Sequence, residues 1–337
     1  MRKSGKLAPL GLAVLLIALL TLRLNAEPAA KLLLRAAPAQ FSPGLAPASA
    51  PAALPAAEAP VPPDDEVPAQ EPLVTLLASD PGHEILPTTI SAVQLLKNDT
   101  AYALSPEQLL AEGPALRLPA EGPQILIIHT HGSEAYNPVG LDLYEASDVS
   151  RTQDPHYSVI RVGDELAQQL EAQGLRVLHD REIYDYPSYT GSYSRSGEAV
   201  ERYLKQYPGI AVVLDLHRDA LGTDEVVYKT MAEEEGTVAS QIMILVGSDE
   251  SGLEHPHWRE NLSLALYLQE AVAAAHPTLM RPVSLVPQRY NQQLTAGSLI
   301  LEVGSSGNTL QEALAAVRLF ADAAGPALLA LTEPGEM

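Results

Sequence analysis

Three apolar runs in this chain each lead straight into a histidine or an acid, and that pattern restricts the fold more than any other feature. Ile125-Leu-Ile-Ile128 runs into His129-Thr-His131 and then Glu134. Ile210-Ala-Val-Val-Leu214 runs into Asp215-Leu-His217, and Ser298-Leu-Ile-Leu301 into Glu302-Val-Gly304. Short unbroken runs of Ile, Leu and Val read as strands buried on both faces, the kind found in parallel sheets. Open α/β sheets carry their sites beyond the carboxyl ends of such strands. Imidazoles and carboxylates buried there are costly unless they are paired or hold a metal. Two His and one Glu are a ligand set for a catalytic zinc, with a fourth position left for water.

The strands alternate with helical patterns. Val159, Val162, Leu166 and Leu170 recur at helical spacing up to Gly174, and Leu175 to Leu178 reads as a short strand. Ser196 is expected to cap a helix reaching about Tyr207. Val238 to Val246 reads as one strand, Trp258 to Ala275 as a helix, and Thr309 to about Leu331 as a helix with Asn308 as its cap. Ser105 and Pro106 mark a further helix start, as N-cap and first helical residue. This alternation predicts a three-layer α/β domain, a largely parallel sheet with helices on both faces, over residues 123–332. Residues 73–122, with a candidate strand at Val74 to Ala78, are expected to lead into that domain or pack beside it.

The N-terminal 72 residues are different. Arg2, Lys3 and Lys6 precede the apolar run Leu7 to Leu22, and Leu24-Asn-Ala26 is a poor cleavage site. Residues 1–26 therefore read as an uncleaved signal anchor, basic end in the cytoplasm, with the rest of the chain outside a cell membrane that it crosses once. Residues 27–72, rich in Ala and Pro, read as an extended spacer. The formal net charge of -21 excludes nucleic-acid binding by bulk electrostatics. The lack of any cysteine excludes a thiolate zinc site and a disulfide framework.

Side-chain alternation along a strand puts His129 and His131 on one face if the strand persists that far, and does the same for Asp215 and His217. Both His129 and His131 are candidate ligands, or one ligates and the other orients it. Asp215 is expected to accept from the second nitrogen of a ligating His217. The competing reading of His217 is a packed histidine beside an Arg218–Asp219 ion pair. Glu302, set among apolar residues, is a ligand or a general base; the competing reading is an ion pair with a buried Arg. His156 in Asp154-Pro-His156 is a further candidate ligand. Asp80-Pro-Gly-His83 is expected to be a decoy, His179 structural, and His255 and His257 solvated. The loop carrying Tyr184, Tyr186, Tyr189 and Tyr193 either lines a groove for sugar or peptide or packs on itself.

His129-Thr-His-Gly-Ser-Glu-Ala-Tyr136, Val162-Gly-Asp-Glu165 with His179-Asp180, Asp215-Leu-His-Arg-Asp-Ala220 and Leu301-Glu-Val-Gly-Ser-Ser-Gly-Asn-Thr309 occur in this order. Together they resemble the stage II sporulation protein P family, over roughly residues 120 to 330; anchor and spacer fit as well. That family is related to the zinc-dependent N-acetylmuramoyl-L-alanine amidases. In those enzymes a Gly-His-Gly turn gives a zinc His, which His131-Gly132 resembles. A Ser-x-His turn gives another, which Leu216-His217 resembles loosely, and a Glu-x-Gly turn gives the catalytic Glu, which Glu302-Val-Gly304 resembles well. The related amidases take a zinc Glu from just before the first long helix. Here that place holds Asp154-Pro-His-Tyr-Ser158, so the third ligand is Glu134, or else Asp154 or His156.

The resemblance implies a zinc-dependent peptidoglycan hydrolase cutting the bond between N-acetylmuramic acid and L-alanine, with endopeptidase action on cross-links as a second family activity. Zinc would sit on His131, Glu134 and His217, with Glu302 as base. It also implies work on the septal wall during engulfment, beside stage II sporulation proteins D and M. Two other readings remain from the sequence: a two-metal hydrolase using His129 with His131, and a cell-wall-binding module without turnover.

Overall fold

The structure, a computed structural model, describes residues 84–92, 94–139, 150–223 and 225–334. The anchor, the spacer, the Val74 to Ala78 run and Asp80-Pro-Gly-His83 lie outside the described residues. Among the described residues no helix is long and apolar enough to cross a membrane.

The strands are β1 (Glu84–Thr88), β2 (Leu96–Asn98), β3 (Ile125–Ile128), β4 (Val177–His179), β5 (Val212–Asp219), β6 (Val226–Thr230), β7 (Ala232–Glu234), β8 (Thr237–Ala239), β9 (Ile242–Gly247), β10 (Val283–Val286) and β11 (Ser298–Ser305). The helices are α1 (Pro106–Glu112), α2 (Val159–Ala172), α3 (Ser192–Gln206), α4 (Trp258–Ala275) and α5 (Leu310–Leu329). Seven strands form the main sheet in the order β2-β10-β9-β11-β5-β3-β4. Every neighbouring pair in it is parallel except β9 with β11. The expected α/β architecture with a largely parallel sheet is therefore present.

Both faces are covered. Ile125, Ile127, Leu214 and Leu216 pack into the large core with residues of α2, α4 and α5. Leu126, Ile128 and Val213 pack on the opposite face against Ala199 and Val200 of α3. This is why β3 and β5 read as unbroken apolar runs: each residue meets a layer on its own side. β3, β5 and β11 are adjacent and parallel, so all three deliver their C-terminal ends to one edge.

Several local expectations shift. Val238 to Val246 is two strands: β8 turns back on β7, and β9 starts at Ile242. Between them Gln241 is buried, its amide clasping both backbone groups of Ile90 and the carbonyl of Thr278. α3 begins four residues before Ser196. Ser196 is an interior residue whose hydroxyl faces the carbonyl of Tyr193 and the hydroxyl of Thr130, a back-bond that lets serine sit inside a helix. α5 is capped by Thr309, not Asn308, with a full capping box to Glu312. Asn308 is buried and spends its amide on Thr230 and Ser305. β2, from the segment expected to lead into the domain or pack beside it, is the edge strand of the main sheet. α2 does end as expected, with Gly174 at φ 101° just beyond it.

Candidate metal centre and active site

β5 stays regular through Asp219, so the period of two holds and Asp215, His217 and Asp219 share a face. β11 pairs with it in register, Glu302 opposite His217. β3 stops at Ile128, and a turn over residues 130–133 follows. That turn swings His131 and Glu134 over the end of β5, whereas His129 stays beneath the sheet on the α2 side. His129 and His131 therefore part company, against the expectation of a shared face, because the strand on which the alternation rested has ended.

The structure brings together His131, Glu134, Asp215, His217 and Glu302. Glu134 Oε2 lies 3.4 Å from His217 Nδ1 and accepts from the Arg218 backbone N–H at 3.2 Å. On the other side of the ring, His217 Nε2 lies 2.9 Å from Asp215 Oδ1, although the angle is too poor for a hydrogen bond. Asp215 is itself fixed by the Thr130 N–H at 2.8 Å and hydroxyl at 2.6 Å. The His131 ring sits edge-on to His217, centroids 5.3 Å apart, and flat against Tyr189 at 4.5 Å. His131 Nδ1 is 3.8 Å from Asp185 Oδ2. Asp185 is held in turn by the Ser133 N–H and hydroxyl and by Arg151.

Burial opposes charge on His217, but Asp215 and Glu134 outweigh it and hold its pKa well above the ordinary value. Burial would likewise raise Glu134; the hydrogen bond from His217 and the charges of Arg218, His217 and His131 pull it down to about 2. His217 is thus set between two carboxylates that favour its charged form. Glu302 behaves oppositely: burial, with Asp219 and Glu134 adding to it and His217 opposing, pushes it up to about 8. Its Oε2 is enclosed and unpartnered. The ion pairs of the competing readings are not formed among the described residues: Asp219 pairs with Arg281 at 2.9 Å, and Arg218 binds the carbonyls of Ala135 and Ser150.

These residues fit a cation. In a tetrahedral zinc site, neighbouring N and O ligands stand about 3.4 Å apart, and Glu134 and His217 are at that separation, longer than a tight charge-assisted hydrogen bond. His131 Nδ1 and Glu302 Oε2 are buried and unpartnered beside them. Among the described residues no three donors yet converge as a formed cluster. Glu134 and His217 form one edge of such a site, with the His131 ring beside them.

The other candidates lie elsewhere. Asp154 and His156 pair with each other at 2.8 Å, and their side chains are 46% and 73% exposed. His129 donates from Nδ1 to the Leu216 carbonyl at 2.9 Å, because a carbonyl can only accept. Its Nε2 meets His179 Nε2 at 2.8 Å, and His179 Nδ1 is 3.0 Å from Asp164. Burial, then His179, lowers the His129 pKa to about 3, keeping the ring neutral. His179, expected to be structural, joins His129 to Asp164. His255, expected in solvent, is buried with both ring nitrogens unpartnered. Asp185, Arg151 and Tyr290 escaped the sequence reading; the one signal available was a carboxylate, Asp185, set among the loop tyrosines.

A family model described as stage II sporulation protein P matches residues 86–325. This chain belongs to the stage II sporulation protein P family. Over 209 residues it is 27% identical to stage II sporulation protein P of Bacillus subtilis (strain 168), a stretch covering 59% of this chain and 49% of that relative. The chain thus spans about half the length of the curated relative it matches. Among solved structures it is similar to the N-acetylmuramoyl-L-alanine amidase AmiC2 of Nostoc punctiforme, at 13% identity and TM-score 0.36, covering 63% of this chain and 98% of that one. It is also similar to the N-acetylmuramyl-L-alanine amidase Ami1 of Mycobacterium smegmatis, at 12% identity and TM-score 0.35, covering 62% and 96%. Likeness this distant says nothing of activity.

Proposed function

We propose that this chain is a peptidoglycan hydrolase of sporulation, acting as a zinc-dependent N-acetylmuramoyl-L-alanine amidase. The observation that carries the reading is Glu302, a carboxylate with one enclosed, unpartnered oxygen, in register beside His217 and across from Glu134. Family membership supports the cell-wall and sporulation context. His131, Glu134 and His217 would hold the metal, and Asp215 would orient His217 from its far side. Bound there, zinc would supply Lewis acidity toward the amide carbonyl and toward water.

The chain's own residues do the rest. Glu302, held near neutrality by burial, takes a proton from the water that adds to the amide carbon. It then delivers that proton to the departing nitrogen, leaving a lactyl carboxylate on the sugar and an amino terminus on L-alanine. Tyr189, 60% exposed and stacked on His131, would offer a surface beside the site for a sugar ring or a stem peptide. A membrane anchor at residues 1–26, a catalytic domain outside the cytoplasm, and work beside stage II sporulation proteins D and M belong to the same proposal.

Digestion of purified sacculi with product mass spectrometry tests it, using wild type, Glu302→Gln and an EDTA-treated sample. New L-alanine amino termini that vanish in both controls support the amidase. Cleavage that survives either control refutes the assigned mechanism. Cuts confined to peptide cross-links would make the enzyme an endopeptidase instead.

A further inference from the structure

Tyr290 has φ 53°, one of three described non-glycine residues in the left-handed region. An aromatic side chain there is strained by roughly 1–3 kcal/mol unless its surroundings over-determine it. They do. Next in sequence, Asn291 donates from Nδ2 to the Tyr193 carbonyl at 2.8 Å and the Ser196 hydroxyl at 3.0 Å. Gln292 accepts from the Gly247 N–H and donates to the Leu245 carbonyl at 2.9 Å. Asn261 reaches across from α4 to the Gln292 carbonyl at 2.9 Å. Gly197 is the clearance for this arrangement: a Cβ there would stand 2.9 Å from Asn291 Oδ1. A row of side-chain amides, two of them buried, thus clamps one turn and holds one tyrosine in a strained backbone.

The clamp aims that tyrosine at the site. The Tyr290 ring is 5.4 Å from Tyr193, which is edge-on to His131 at 5.6 Å. Tyr290 also lines the small cavity under Asp215, together with Thr130 and Ser196. It is half-buried, and its hydroxyl has no hydrogen-bond partner among the described residues. Its neighbours are engaged: Tyr184 donates to Asp180, and the Tyr189 ring stacks on His131 with Arg151 close by. Its phenol feels Glu302 and His217, though burial acts on it most. A phenol carries its hydrogen at neutral pH, so this one is a donor with no partner among the described residues, on a backbone turn that is held in place.

We propose that Tyr290 is a further catalytic residue, whose phenolic O–H donates a hydrogen bond to the oxygen of the scissile amide. The inference rests on the hydrolase reading above. As water oxygen bonds to the amide carbon, the carbonyl π pair moves onto the oxygen, which gains negative charge facing Tyr290. When the C–N bond breaks, that pair re-forms the carbonyl and the nitrogen leaves with the proton carried by Glu302. Tyr290 keeps its own proton throughout. A donor fixed before the charge appears stabilises it without reorganising, which accounts for the clamp.

The test is steady-state cleavage of a muramyl-peptide substrate by the zinc-supplemented full chain, wild type against Tyr290→Phe. Loss of one such donor lowers kcat by about 10²–10³-fold, and here KM and the thermal midpoint should be unchanged. Asn291→Ala, which loosens the clamp but keeps the phenol, should lower kcat less. Equal kcat in wild type and Tyr290→Phe overturns the proposal while leaving the hydrolase reading standing. A raised KM with kcat intact also overturns it, making Tyr290 a binding platform. A zinc-loaded wild type that cleaves nothing takes both readings down.

Discussion

Gly163 sits in the middle of α2, where helix propensity favours alanine by about 1 kcal/mol, yet Gly163→Ala should destabilise the protein. A Cβ at this position would stand 2.6 Å from His129 Nε2 and 2.6 Å from His179 Nε2. Neither ring has room to yield. His129 is fully buried and tied at Nδ1 to Leu216; His179 is tied to His129 at one nitrogen and faces Asp164 at the other. Crowding in a packed interior costs about 1–3 kcal/mol, and a buried nitrogen stripped of its partner about 1–3 more. Set against the helix gain, the net loss is roughly 1–5 kcal/mol, or about 2–20 °C in Tm for a domain of this size. Thermal unfolding followed by circular dichroism reads it. In a His179→Ala background the same change should cost much less, because half of the obstruction is gone. A Gly163→Ala protein as stable as wild type, or more stable, would refute the account of why this glycine is there.

Three further outcomes are expected. In metal-free protein, Glu302 keeps its proton up to about pH 8, whereas the unfolded chain loses it near 4.5. Wild-type stability therefore falls as pH rises through that window, and Glu302→Gln should be roughly 1–4 kcal/mol more stable than wild type at pH 8.5 but equal at pH 4; urea melts at both values check the sign. Asp215→Asn should weaken zinc binding about 10–100-fold, as losing the orienting carboxylate of a ligating histidine does, read by titration against a competing chelator. His156→Ala should leave zinc affinity unchanged in the same titration, since its ring points into solvent; a tenfold loss would return the third-ligand role to the Asp154-Pro-His156 turn.

The sheet edge carrying the site was legible because it depends on chemistry within single strands. An unbroken apolar run followed by a polar residue says where the strand ends and what it delivers, and β5 kept its period of two through His217. The same logic misjudged His129, because nothing local announces that β3 stops at Ile128. Glu134 is preferred to His156 in the proposed ligand set because of the turn at residues 130–133, which points Glu134 back at Arg218 and sets it beside His217. Tyr290 was out of reach altogether. Its left-handed backbone is imposed by amides from β9, α3 and α4, and no window of sequence contains those contacts. Asn308 shows the same limit: next to a helix start it resembles a cap, and only the distant carbonyl of Thr230 reveals that its amide is committed elsewhere.

The edge strand β2 bears on how this protein must be handled. Leu96 to Asn98 covers the outer side of β10, Leu95 receives the Gln269 amide, and Leu118 exchanges backbone bonds with the C-terminal residues Leu331 and Glu333. A chain trimmed to begin at residue 123 would keep every candidate site residue but lose all of these. β10 would then present a bare row of amides and carbonyls to any passing copy, the usual seed of strand-to-strand aggregation. Soluble protein is to be sought from chains beginning before Glu84, and inclusion bodies from the shorter form would reflect an uncovered edge.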